Sequence, residues 1–270
     1  MSKEIAPATS SIRSQKRNYH VEFSPAGRQM GIDFSLLAGD DPMVDPGIKT
    51  DQISIDFASL GRGNRMKLEP FGQWAGCSED YSVPSHWVLE AHTFDIDFRI
   101  MQVAGYKKAL EPDSSMDALE SAIRNRKLAR VEDLPYPYIP DSGLNMWGRQ
   151  KFLEWDGWKG ISWVGAFGQD YLCGFDGKGE YLAYVVQAIS DDGRFFVMMR
   201  RGVSNPQAAR QLDQKCNAGP NHKGSKEWES FFHEDMQALF DKEMSAADPA
   251  TFTPNLDQLD AVIKSLKLKR

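Results

Sequence analysis

The chain has 270 residues, of which 41% are hydrophobic and 26% charged, and its formal net charge is −6. That is the composition of an ordinary folded protein with room for a sizeable core, and it argues against wholesale disorder. An acidic chain is a poor nonspecific ligand for nucleic acid, and no apolar run approaches the ~20 residues that a membrane-crossing helix needs.

The first residues, 1–18, are polar and rich in Ser, Lys and Arg, and read as a disordered arm. They contain no apolar signal region, so the chain as written is cytoplasmic unless a signal was removed ahead of it. A β-rich half with one helix is expected over 19–132. Its strand candidates are NYHVEF, MGIDFSLL, DQISIDFASL and RMKLEPF, and the strongest is AHTFDIDFRIM, with Phe94, Ile96, Phe98 and Ile100 alternating against Thr93, Asp95, Asp97 and Arg99. Met116, Leu119 and Ile123 then recur at helical spacing, and Ser114 with Asp117 resembles a capping box, predicting a helix to about Lys127.

Three prolines in residues 133–144 break any regular helix and mark a linker, a plausible domain boundary. Residues 145–270 should form an antiparallel sheet with C-terminal helices. The dipeptide Asp156-Gly157 predicts a hairpin between two strands. Both alternating sets from Gly179 to Ser190 are apolar, which predicts a central strand covered on both faces. A tip at Asp191-Asp192-Gly193 leads to the strand GRFFVMMRRGVS, and Asn205-Pro206 opens a short helix through Leu212 followed by a loop holding Cys216. Ser225 caps a longer helix with Trp228, Phe231, Phe232, Met236, Leu239 and Phe240 as its apolar stripe, and Thr253-Pro254 opens the last helix. The fold class is therefore α+β, an antiparallel sheet covered by helices, with a possible second β-rich subdomain on the N-terminal side.

Familiar catalytic signatures are missing. The five histidines, His20, His86, His92, His222 and His233, form no HxxxH or HxH pair, so no metal or other cofactor is expected. Asp95 and Asp97 share a strand face but also share it with Arg99, which reads better as a solvated ion pair than as an acid/base dyad. The segment from Gly174 to Glu180 looks like a phosphate loop but lacks its spacing and its following helix. There is no GxSxG nucleophile. The cysteines Cys77, Cys173 and Cys216 are too scattered for a metal knuckle. Of the three possible pairings, Cys173 with Cys216 is the predicted disulfide, because a tether would suit the irregular loop around Cys216, and Cys77 is left as a free thiol. The aromatic residues Tyr136, Tyr138, Trp147, Trp155, Trp158 and Trp163 crowd one segment. Core packing is their plainer role, but Tyr136, Tyr138, Trp147 and Trp158 are the candidate binding residues, and the two tryptophans are expected to be partly exposed because each adjoins a turn.

Within 160–206, Tyr184, Gln187, Ser190, Asp192, Gly193, Arg194, Phe195, Phe196, Val203, Ser204 and Pro206 form a strand, a Ser-x-Asp-Gly-Arg tip and an aromatic strand ending in Val-Ser-x-Pro. With the closing helix, this half of the chain resembles uncharacterised bacterial extracytoplasmic proteins and lipoproteins of PsbP-like fold. The resemblance implies a non-enzymatic periplasmic or surface-attached binding or assembly protein whose partner is a protein or an envelope component. Two other readings stand beside it: a hydrolase with a dispersed Asp/Glu/His site, and a cytosolic inhibitor or immunity-type module.

Overall fold

A computed structural model describes residues 16–23, 30–37, 53–56, 65–68, 87–93, 96–109, 114–128, 130–135, 143–168, 173–175, 181–220 and 225–269. Its centre is an antiparallel sheet of six strands in the order β5-β6-β10-β9-β8-β7. These are β5 (Trp87–Thr93), β6 (Ile96–Gln102), β7 (Gly143–Trp155), β8 (Trp158–Gly168), β9 (Tyr181–Ser190) and β10 (Phe195–Gly202). Ahead of them, β1 (Lys16–Phe23) pairs with β2 (Met30–Leu37), and β3 (Ile53–Asp56) with β4 (Arg65–Leu68). The last strand, β11 (Lys267–Lys269), returns to β1. The fold is α+β.

β9 lies between β8 and β10, and its residues from Leu182 to Ser190 are all buried. Its two apolar sets feed two cores. Leu182, Tyr184, Val186 and Ala188 join Met199, Leu212, Trp228, Phe232, Met236, Phe240, Leu259 and Ile263 in one. Ala183, Val185 and Ile189 join Trp163, Phe196, Tyr106, Met116 and Leu119 in the other. Each fully buried large aliphatic side chain contributes about 1.5–3 kcal/mol, so a strand greasy on both faces is stable only between two covers.

The first cover is α1 (Val103–Ala109) and α2 (Ser115–Asn125), joined by Lys107, whose ammonium meets Asp117 at 2.7 Å and Glu120 at 2.9 Å. The expected capping box does not form: Ser114 occupies the N-cap at φ −93° and ψ 3°, outside the extended conformation of a capping serine, and makes no side-chain bond, while the Asp117 carboxylate is turned to Lys107. The buried Gln187 fastens the neighbouring segment 131–135, accepting from Trp163 Nε1 at 3.0 Å and donating to the Pro135 carbonyl.

The second cover is α3 (Pro206–Asn217), α4 (Lys226–Ser230), a π-helical turn (Phe231–Met236), α5 (Gln237–Ala246) and α6 (Leu256–Lys264). Asn205 caps α3, accepting from the Ala208 amide at 3.0 Å, and the helix runs past Leu212 to place Cys216 in its last turn. Cys216 is therefore helical and buried, not in a loop. Ser225 caps α4, accepting from Trp228 N at 3.1 Å. In α4–α5, Trp228, Phe232, Met236, Phe240 and Met244 are buried at a constant interval of four. Four residues over-rotate an α-helix by about 40°, so such a stripe would wander off the sheet; one wider π turn takes back part of that drift. Asn255, rather than Thr253-Pro254, starts α6, accepting from the Asp257 amide at 2.8 Å.

The segment AHTFDIDFRIM is not one strand. β5 ends at Thr93 and β6 begins at Ile96, with those two residues paired, so the alternation belongs to two arms of a hairpin. β6 continues the sheet by pairing with β10, so strands from both sides of residues 133–144 share one sheet. Asp95, Cys77, Tyr136 and Tyr138 lie outside the described residues. Asp97 stands in register opposite Arg200, a fully buried arginine.

Candidate functional site

The aromatic segment divides between the two faces of the sheet. Asp156-Gly157 forms the hairpin turn, with Gly157 at φ +79°, and brings Trp155 opposite Trp158. The rings stack with centroids 6.2 Å apart, but Trp158 is wholly buried under the C-terminal helices. The expectation that Trp158 is part-exposed is thus wrong: adjoining a turn does not expose a side chain that points to a covered face. Trp155 is the half-buried member of the pair, and its indole donates to the Leu266 carbonyl at 3.1 Å.

Trp147 lies on the opposite face, half-buried beside the second core with Leu144, Phe152 and Ile123. Its backbone is held by α5. Trp147 N–H donates to Gln237 Oε1 at 3.1 Å, and Gln237 Nε2 donates back to the Trp147 carbonyl at 2.7 Å. Two residues on, Arg149 N–H donates to Asp241 Oδ1 at 3.2 Å. Between them, a Cβ on Gly148 would meet Asp241 Cα at 2.6 Å, so only glycine allows the helix to come this close. Arg149 bulges out at φ +55° and donates through Nη1 to the carbonyls of Met244 (2.9 Å) and Ala247 (2.6 Å) at the end of α5. β7 is an edge strand, and α5 covers the start of its free edge.

Toward the other end of β7, a buried polar network crosses the sheet to α6. Tyr184 donates to Asp260 Oδ1, and Lys151 Nζ meets Asp260 Oδ2 at 2.8 Å. Burial, and then the charge and hydrogen bond of Asp260, push the Tyr184 phenol well above its ordinary value of 10.0, while a hydrogen bond from Ser162 pulls the other way. Asp260 is the buried carboxylate of the described residues, and both its oxygens are engaged inside the protein. Among the described residues no group of His, Cys, Asp and Glu could hold a metal ion.

The phosphate-loop lookalike begins with its amides already occupied. Gly174 N–H and Phe175 N–H both donate to Asp213 Oδ1 of α3, at 2.8 and 3.0 Å. One residue earlier, Cys173 is disulfide-bonded to Cys216, with the Cα atoms 5.7 Å apart. Residues 176–180 lie outside the described set. At the β9–β10 tip, Asp192 Oδ1 accepts from Ser190 Oγ at 2.6 Å and from Arg194 N–H at 3.2 Å, while Ser190 Oγ accepts from Phe195 N–H at 2.9 Å. The tip is knitted by its own side chains.

Sequence reasoning missed Gln237, Asp241 and Asp260. Each is a polar residue of an amphipathic helix whose partner lies about a hundred positions away, 90 for Gln237 and 109 for Asp260, and no local pattern marks such a pairing. No known family model matches the chain, and neither a curated protein nor a solved structure is significantly similar to it.

Proposed function

We propose that this protein is a non-enzymatic extracytoplasmic binding or assembly protein of PsbP-like architecture, and that it meets a protein or envelope partner through the face of β7 carrying Trp147. The observation that carries this reading is the way Trp147 is presented: a half-buried indole on a strand whose backbone is fixed by Gln237 and Asp241. A large aromatic on a rigid support loses little freedom on binding and makes an effective anchor. The Cys173–Cys216 bond supports an oxidising compartment, where structural disulfides persist. The sheet between two helical covers supports the architecture. A dispersed-carboxylate hydrolase is less well supported, since Asp260 already serves Tyr184 and Lys151.

The test is affinity capture from a native envelope extract with the wild-type chain and with Trp147→Ser. The variant should stay folded at a lowered melting temperature, since Trp147 packs against the second core, yet lose the captured component at a temperature where both proteins are native. Equal capture by both proteins would remove Trp147 from the interface and this reading with it.

A further inference from the structure

We infer that the C-terminal end of α2, with the adjoining part of β7, docks an acidic segment of a partner polypeptide; this rests on the binding reading above and names the chemistry of the partner. Arg124, Arg126, Lys127 and Arg130 fall within seven positions of one another and all are exposed, on a chain whose net charge is −6. The α2 dipole accounts for cations in its last turn. It does not account for Leu128, which is 50% exposed and is the large hydrophobic residue left in solvent among those described.

The geometry around Leu128 is also built. Arg126 ends α2 in the left-handed region, at φ 48° and ψ 38°, a conformation that glycine ordinarily supplies. It is held there from β7: its guanidinium lies 5.6 Å from the Phe152 ring centroid and 3.2 Å from Glu154. Among the described residues Arg130 is paired with Glu132, whereas neither Arg124 nor Lys127 meets a carboxylate. Two cations that meet no carboxylate among the described residues thus precede an exposed leucine in the chain, and Arg126, between them, reaches the half-buried Phe152. An apolar contact ringed by Asp or Glu side chains matches this surface in charge and size. A bilayer fits less well, because one leucine inserts too little apolar area and the overall negative charge opposes an anionic surface.

The test is photo-crosslinking in native envelope extract, with the full chain carrying p-benzoylphenylalanine at position 128 or, separately, at 147. We expect capture from 128, a crosslinked peptide rich in Asp and Glu, and a drop of about tenfold or more in yield when Arg124→Glu and Lys127→Glu are introduced. All the substituted positions but 147 are exposed, and thermal melts check that the fold is kept. Capture from 147 but not from 128 would overturn this inference and leave the binding reading standing. Silence at both positions would overturn both. Capture from 128 that ignores the charge reversal would refute an acidic partner. So would co-sedimentation with phosphatidylglycerol-containing vesicles that the same reversal abolishes, since it would assign the patch to lipid.

Discussion

Gln237 grips Trp147 by both main-chain atoms, its side-chain amide standing where the next strand of the sheet would otherwise lie. An edge strand exposes unpaired N–H and C=O groups that template pairing with other chains, and a side-chain amide offers the same donor and acceptor as a peptide unit. Gln237→Leu should cost about 1–3 kcal/mol, the usual penalty for two part-buried groups losing their partners. Urea unfolding gives the loss, and amide hydrogen exchange should show Trp147 N–H exchanging faster. Unchanged protection there would contradict the bonding described.

Phe232 sits in the π turn with its side chain wholly buried, near Trp228 at a centroid distance of 6.0 Å. Phe232→Ala should lower stability by about 3–5 kcal/mol, as for other emptied aromatic core sites. A thermal melt superimposable on wild type would mean that the helix does not pack on the sheet in solution.

The Tyr184 phenol carries a pH signature. Its folded pKa lies above the unfolded value of 10.0, so its contribution is complete below pH 10 and is lost as the pH rises through the folded pKa. Tyr184→Phe should cost about 1–3 kcal/mol at neutral pH by stripping a bond from the buried Asp260 carboxylate. It should also flatten the alkaline fall in stability above pH 10. Denaturation midpoints across that range, in both proteins, decide the matter: parallel slopes would show that Tyr184 is not the group responsible.

The disulfide spans 43 residues, and closing a loop of that length contributes about 4 kcal/mol in the chain-entropy model. Cys173→Ser and Cys216→Ser, alone or together, should each lower the melting temperature, with the double variant no worse than the singles. Alkylation before and after reduction, read by peptide mass, should label Cys173 and Cys216 only after reduction.

Gly193 turns the β9–β10 tip at φ +70° and donates its N–H to the Ser190 carbonyl at 2.7 Å. Nothing lies within 4 Å of a Cβ built there, so a substitution meets backbone strain without a clash. Gly193→Val should cost about 1 kcal/mol or more. Loss of partner capture at unchanged stability would instead make the tip a contact site.

What could be read from the residues followed from local rules. The apolar set on each side of β9 needed two covers, and the order β10-β9-β8 with a helical layer on each face meets that need. The Asp156-Gly157 turn and the Ser225 cap are likewise chemistry written within a few positions. The period-two run from Phe94 misled because an alternating pattern reads the same through a tight hairpin as along one strand. Adjacency to a turn does not expose Trp158, because strand parity decides which face its side chain takes. No periodicity marks the patch at Leu128, where a single leucine follows a basic helix end of the kind the dipole alone favours.

The separation between Trp147 and Gln237 also has a meaning in time. During synthesis the strand emerges first, and the amide that shields its edge follows 90 residues later. At ordinary elongation rates that interval is roughly 5 to 20 s, far longer than the microseconds in which hairpins form. The β7–β8 hairpin is thus free to fold long before its shield is made, and for those seconds a nascent chain displays a bare edge to its neighbours on the same message. Aggregation during expression should therefore depend on how quickly the last third of the chain follows, and a chain stopped before Gln237 should be the stickiest product of all.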